Sequence, residues 1–86
     1  MADVVVSGPA KNTLIELAAT DRYRYQQVAA LLIALGKDPL MIGSRPIHHP
    51  DDPLEGERVL RSGHWEVLYR VDGGLTRVEV ALIRRM

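Results

Sequence analysis

The N-terminal half of this 86-residue chain passes from a strand-like pattern to two helical patterns. Three consecutive valines, at positions 4–6, predict a short strand that ends at Gly8 and Pro9, because these residues favour turns and interrupt ladders. Apolar residues then recur at the spacing of a helix face in two successive stretches. The first stretch has them at Ala10, Leu14, Leu17 and Ala18, and the second at Tyr25, Val28, Leu32 and Leu35. Only a few residues separate the stretches, so we expect an antiparallel helical hairpin.

The ends of the second helix are indicated by residues that suit helix termini. Thr20 and Asp21 can cap its start, because their side-chain oxygens accept hydrogen bonds from free backbone N–H groups. Gly36 followed by Pro39 predicts its end. From residue 40 to residue 57 the chain carries three prolines and two glycines, which predicts a long loop without regular structure.

The C-terminal third alternates between apolar and polar residues, as strands do. The stretch from residue 60 to residue 74 alternates like a strand and ends at Gly73 and Gly74, after which a second alternating stretch begins. If these glycines are the central residues of a two-residue turn, the apolar faces of both strands coincide. The predicted cross-strand pairs are Val71 with Thr76, Tyr69 with Val78, Val67 with Val80 and Trp65 with Leu82. The whole pattern predicts an α+β fold, with an N-terminal strand, a helical hairpin and then an antiparallel sheet packed on the helices.

Length and composition narrow the possible classes of protein. Eighty-six residues make one domain, residues 1–86, with one core. Eleven basic and eleven acidic residues cancel, so no global field draws the chain to nucleic acid or to an anionic membrane. The chain has no cysteine and no long apolar run, which predicts a cytoplasmic protein without a membrane span.

Several short motifs occur together in a characteristic order. They are Ala10, Leu14 and Leu17; Asp38 and Pro39; Gly43, Pro46 and Ile47; Leu54 and Gly56; Arg61, Gly63, Trp65, Val67, Tyr69 and Asp72; and finally Arg84 and Arg85. In this order and spacing the chain resembles the RelE/ParE superfamily of small bacterial toxins from type II toxin–antitoxin modules. The resemblance covers nearly the whole chain.

The resemblance implies a function in one of two branches. RelE-like members are ribosome-dependent endoribonucleases that cleave mRNA without a metal, and ParE-like members inhibit DNA gyrase. Both are neutralised by a cognate antitoxin protein. We therefore expect an antitoxin as partner, with the ribosome and mRNA as further partners in the first branch and gyrase in the second. A catalytically inactive homologue that only binds antitoxin is a third possibility.

The resemblance also directs attention to four residues. Cleavage of RNA by its own 2′-hydroxyl needs a base, an acid and cations that stabilise the phosphorane. The family places an arginine where this chain has Glu66, so its cationic set is reduced. A rebuilt site would use Glu66 as base, His64 as acid, and Arg85 or Arg61 as phosphate clamp. His64 and Glu66 lie two residues apart and so on one strand face, and Arg85 on the neighbouring strand is expected to point the same way. The competing interpretation is that Glu66 is a solvated strand residue and His64 a turn residue.

Two other clusters carry candidate chemistry. His48, His49, Asp51 and Asp52 lie within five residues, but adjacent histidines in a proline-rich loop do not converge on one ion. We expect no metal and no cofactor. A local basic patch could be formed by Arg58, Arg61, Arg84 and Arg85, or these arginines could instead form cross-strand ion pairs. The predicted register places Arg70 opposite Arg77, which is unfavourable unless a carboxylate lies between them.

Overall fold

The computed structural model describes residues 1–47, 57–72 and 74–86. These residues form two helices and a five-stranded sheet. The elements are β1 (Asp3–Val6), α1 (Gly8–Thr20), α2 (Arg22–Lys37), β2 (Ser44–Pro46), β3 (Glu57–Ser62), β4 (Trp65–Val71) and β5 (Arg77–Arg85). The strand order is β1-β5-β4-β3-β2. The β1–β5 pair is parallel and the other three pairs are antiparallel, so the sheet is mixed.

Both helices pack on one face of the sheet, where the core lies. Alternate residues of β4 and β5 point into this core, as the strand period requires. The fully buried core side chains are Ala10, Val28, Leu35, Leu60, Val67, Val78 and Val80. The predicted α+β arrangement is confirmed. The opposite face of the sheet, which we call the open face, carries no helix among the described residues.

Asp21 separates the two helices and serves both of them. Its backbone N–H donates to the carbonyl of Leu17 at 2.8 Å, and its side chain accepts from the N–H of Arg24 at 3.1 Å. The predicted N-terminal cap is therefore confirmed for Asp21. Thr20 instead donates its hydroxyl to the carbonyl of Glu16 at 2.7 Å, within α1. Neither helix, within the described residues, is long and apolar enough to span a bilayer.

The close approach of α2 to β1 depends on Gly36. A Cβ at this position would lie 3.1 Å from Val4 Cγ2 and 3.3 Å from the carbonyl oxygen of Ala2. The Ala2 N–H donates to the carbonyl of Gly36 at 2.7 Å. The glycine that ends the apolar stripe of α2 is thus also the point where the helix meets the first strand.

The prediction of a loop without regular structure between residues 40 and 57 was wrong in part. Ser44–Pro46 form β2, which pairs with β3 at the edge of the sheet. An edge strand tolerates Pro46, because the missing N–H needs no partner on the outer side. The residues between 48 and 56, including the histidines and aspartates considered for a metal, lie outside the described residues.

The alternating stretch from residue 60 to residue 74 is not one strand, because a turn interrupts it. Gly63 has a φ of +59°, and with His64 it forms the two-residue connection between β3 and β4. Glycine at the first central position is the pattern of type II′ turns, which match the twist of hairpin strands. His64 is therefore a turn residue and does not share a strand face with Glu66.

The predicted β4–β5 register was wrong by two residues at Val71 and Tyr69, and by three residues at Val67 and Trp65. Tyr69 pairs with Val80 and Val71 pairs with Val78. The connection is longer than two residues because the Asp72 carboxylate closes a wider loop. The carboxylate accepts hydrogen bonds from the backbone N–H of Thr76 at 2.7 Å, from the Thr76 hydroxyl at 2.7 Å and from the backbone N–H of Arg77 at 2.8 Å. A shift of two residues keeps the side chains near the turn on their predicted faces, so Val78 and Val80 remain buried.

A β-bulge in β5 changes the faces nearer the C-terminus. Tyr69 pairs with Val80 and Leu68 with Leu82, so Ala81 has no partner residue on β4. One extra residue reverses the inside–outside alternation beyond it. Strict alternation from Val78 would place Ile83 on the polar face, but beyond the bulge it is 2% exposed and lies in the core.

Candidate functional site

An arginine–glutamate–arginine cluster occupies one end of the open face. Arg61 of β3 and Arg84 of β5 are the cross-strand partners of Glu66 in β4. The Nε of Arg61 donates to Glu66 Oε2 at 2.7 Å, and the Nε of Arg84 donates to Glu66 Oε1 at 2.6 Å. A second Arg84 nitrogen, NH2, also contacts Oε1. We call these three residues the arginine clamp.

The clamp holds its carboxylate tightly but leaves its cations accessible. The Glu66 side chain is only 4% exposed, whereas those of Arg61 and Arg84 are 53% and 58% exposed. Hydrogen bonds from Arg61, then those from Arg84, lower the pKa of the Glu66 carboxyl, against the opposing effect of burial. At neutral pH the cluster carries two positive charges and one negative charge, so it can attract an anion.

Two of the four residues selected from the sequence, Arg61 and Glu66, meet in the clamp. Arg85 does not, because the bulge at Ala81 turns it to the helix side, where Trp65 is its cross-strand partner. The prediction that Glu66 and Arg85 share a face was therefore wrong, and Arg84 takes the position beside Glu66. The interruption of alternation by two adjacent apolar residues, Leu82 and Ile83, is the sequence signal that could have indicated the bulge.

His64 and Arg85 come together elsewhere, at a cavity of about 280 Å³ on the helix side. The other residues that line it are Asp21, Tyr23, Arg24, Gln27 and Trp65. The backbone also joins the two elements here, since the Met86 N–H donates to the His64 carbonyl at 2.7 Å. The four candidate residues thus lie at one end of the sheet but on its two sides.

The remaining arginines of the sheet are mostly paired. Arg70 lies opposite Glu79 rather than Arg77, and it forms an ion pair with Glu57 at 3.0 Å. The predicted conflict between Arg70 and Arg77 is absent, because the true register separates them. Arg58 donates to the Ser44 hydroxyl at 3.0 Å. Cross-strand ion pairs therefore describe the open face better than an unbroken basic patch.

A second cavity, of about 330 Å³, lies further along the open face. Leu68 and Ala81 contribute apolar surface to it, and Glu57, Arg70 and Glu79 contribute charge. Among the described residues no group of three or more histidines, aspartates and glutamates is arranged to hold a metal ion. Trp65 and Tyr69 are buried core residues, so neither offers its ring to a ligand on the open face.

Comparison with known proteins places this geometry in a known fold. No family model matches the chain, and no curated protein matches it in sequence. A chain of the RelBE2 toxin–antitoxin complex from Mycobacterium tuberculosis superimposes with a TM-score of 0.78 at 22% identity, over 99% of this chain and 98% of that chain. The YoeB/ParE toxin from Agrobacterium tumefaciens gives 0.76 at 21% identity, over 98% of each chain. This chain has the RelE/ParE toxin fold.

A third match agrees with the other two. A chain of the YoeB–YefM complex from Staphylococcus aureus superimposes with a TM-score of 0.72 at 16% identity, over 100% of this chain and 98% of that chain. The likeness extends from end to end, so the clamp lies within the RelE/ParE fold and not on an added segment. The expectation of this fold from the sequence is confirmed.

Proposed function

We propose that the chain is the toxin of a toxin–antitoxin pair and acts as a metal-independent endoribonuclease on mRNA at the ribosome. The arginine clamp is the observation that carries this proposal. Arginines from two strands flank an ionised carboxylate on a sheet face that no described helix covers. Likeness to solved toxins and toxin–antitoxin complexes supports the toxin assignment.

The clamp contains a base and cations, which are two of the three kinds of group that cleavage by the ribose 2′-hydroxyl requires. Glu66 accepts the proton of the 2′-hydroxyl, whose oxygen forms a bond to phosphorus as the bond from phosphorus to the 5′-oxygen breaks. Each carboxylate oxygen has about two acceptor positions, so the arginine contacts leave room for this proton. Arg61 and Arg84 stabilise the negative charge of the phosphorane. The products are a 2′,3′-cyclic phosphate and a 5′-hydroxyl.

The same geometry predicts that the isolated protein is a weak catalyst. The arginines lower the pKa of Glu66, and a carboxylate of lowered pKa is a poorer base at neutral pH. Among the described residues of the clamp there is no imidazole, since His64 lies in the turn, so the leaving oxygen takes its proton from water or from the ribosome. Dependence on the ribosome follows from this incomplete set of groups.

The antitoxin is the second partner in this proposal. Apolar side chains are exposed on both helices: Ile15 is 58% exposed and Ile33 is 61% exposed. Exposed apolar side chains on a small domain suit the contact surface of a partner protein. A short neighbouring reading frame should encode a chain that copurifies with this protein and suppresses its toxicity.

The proposal is tested by inducing the protein alone in a bacterial host. We expect arrested growth and ribosome-dependent cuts in mRNA, mapped by sequencing of 5′ ends. Arg61→Ala and Arg84→Ala should each slow cleavage by about 10²-fold, as removal of a single donor to a developing oxyanion does. Arg77→Ala, which removes an exposed cation away from the clamp, is the matched control and should cleave normally.

Two outcomes would overturn the ribonuclease, and a third would overturn the clamp as its active site. Loss of plasmid supercoiling without RNA cuts would identify a gyrase inhibitor. Unhindered growth with antitoxin binding retained would identify an inactive homologue. Cleavage unchanged in both clamp variants would place the active site elsewhere. Glu66→Gln separates two roles of the carboxylate. If Glu66 is the base, this variant should lose cleavage. If Glu66 only positions the arginines, its amide oxygen should replace the carboxylate in part, and some cleavage should remain.

A further inference from the structure

The helix-side cavity gathers two arginines and a histidine from three separate elements. Arg24 comes from the first turn of α2, His64 from the turn between β3 and β4, and Arg85 from the end of β5. Such convergence of residues far apart in sequence is produced by the fold and not by local composition. The proposed function assigns no role to this cavity.

The charge of the cavity is only partly neutralised. Asp21 is its acidic residue, and the carboxylate is already engaged: it caps α2 and lies 3.3 Å from the Arg24 guanidinium. The first turn of α2 contains no acidic residue. In the part of the chain that the structure describes, Arg85 forms no ion pair. The cavity therefore favours an anionic ligand.

An aromatic surface stands beside these cations. Tyr23 is 72% exposed, so its ring is accessible to a ligand. Trp65 lines the cavity next to it and is held in place, since its indole N–H donates to Gln27 Oε1 at 3.4 Å. An exposed ring beside cations is the combination that binds single-stranded nucleic acid, with a base stacked on the ring and a phosphate held by the cations.

A line of cations connects this cavity to the arginine clamp. A hollow of about 210 Å³ is lined by Arg24, Arg84 and Arg85, together with one acidic residue, Glu16. Arg84 belongs to the clamp and Arg85 to the cavity, and adjacent residues of a strand point to opposite faces. A single-stranded nucleic acid that passes around the end of β5 can therefore contact the cavity and the clamp in succession.

We propose that the helix-side cavity binds the RNA strand next to the scissile bond, with one base stacked on Tyr23 and a phosphate held by Arg85 and Arg24. This proposal rests on the proposed function for the identity of the nucleic acid. The cavity is a binding site and not a second catalytic centre, because its role is to hold the strand while the clamp acts on the adjacent phosphate.

The experiment measures binding of a fluorescent 2′-O-methyl RNA decamer, which lacks the attacking hydroxyl and so is not cleaved. Tyr23→Ala should weaken binding about 5- to 100-fold, the range for loss of one base stacked on an aromatic ring. Tyr23→Phe keeps the ring and should bind like the wild type. Arg85→Ala should weaken binding and reduce the steepness of log affinity against log salt by about 0.7, the value for one phosphate contact to a single strand. Arg77→Ala is the control for an exposed cation elsewhere.

The outcomes distinguish this inference from the proposed function. If the wild type cleaves mRNA but Tyr23→Ala and Arg85→Ala bind the decamer normally, the cavity is not an RNA site and this inference alone is overturned. If the wild type cleaves nothing but the decamer binds with the expected dependence on Tyr23 and Arg85, the cavity is supported and the ribonuclease is not. Binding of a polyglutamate peptide in place of the decamer, with the same dependence, would also overturn the inference.

Discussion

The buried hydroxyl of Tyr69 provides a well-defined test of how the sheet is tied to the segment after α2. Tyr69 is 2% exposed, and its hydroxyl donates to the carbonyl of Pro39 at 2.7 Å. Tyr69→Phe removes this hydrogen bond with little change in packing. It also leaves the Pro39 carbonyl without its buried donor, which is the costlier part of the change.

The magnitude follows from this single contact. Loss of a buried hydrogen bond with one partner left unsatisfied should lower the free energy of unfolding by about 1–2 kcal/mol. For a domain of this size each kcal/mol lowers Tm by roughly 4–8 °C, so a fall of roughly 5–15 °C is expected. Urea and thermal unfolding would measure it, with an unchanged m-value as the sign that the denatured state is not altered.

Tyr23→Phe is the matched control for this prediction. It removes the same atom from a side chain that is 72% exposed, so the free energy of unfolding should stay within about 0.5 kcal/mol of the wild type. Equal stability of Tyr69→Phe and Tyr23→Phe would refute the reasoning, since it would mean that the hydrogen bond to Pro39 contributes nothing.

Two further predictions concern the turns of the sheet. Asp72→Ala should destabilise the protein at neutral pH, because the carboxylate accepts three hydrogen bonds. Those hydrogen bonds, first the one from the Thr76 side chain, lower the pKa of Asp72. Its stabilising effect is therefore present above the unfolded pKa, about 3.9, and is lost as the pH falls through the folded value, so urea unfolding of the two proteins should converge in acid. Gly63→Ala should cost about 1–2 kcal/mol, because φ is +59° there and no atom lies near the added Cβ. Gly63→Asn should cost less in the same assay, since asparagine tolerates this conformation, and equal losses would argue against backbone strain as the cause.

The two helices, the first and last strands and the burial of Val78 and Val80 could be predicted from the sequence, whereas β2 and the division between β3 and β4 were missed. Helical and alternating patterns extend over many residues, and a register error of two residues, as occurred between Tyr69 and Val78, leaves side chains on their correct faces. The prediction of which side chains face the core tolerates an error of two residues, because side chains alternate between faces with a period of two.

The membership of the clamp could not be predicted in the same way, because it depends on the parity of a few residues. One unpaired residue, Ala81, exchanges Arg84 for Arg85 beside Glu66. The turn at Gly63 likewise removes His64 from the strand on which Glu66 lies. A bulge or a turn depends on one or two residues, so the alternating pattern of a whole strand does not reveal it.

The arginine clamp is tested most directly by the pKa of Glu66, measured by NMR titration of its side-chain carboxyl in the wild type and three variants. Because hydrogen bonds from Arg61 and Arg84 lower this pKa, it should rise in Arg61→Ala and in Arg84→Ala. It should stay near the wild-type value in Arg85→Ala, since the bulge turns that side chain to the helix side. A rise in Arg85→Ala with no rise in Arg84→Ala would contradict the bulge, the clamp and the proposed active site together.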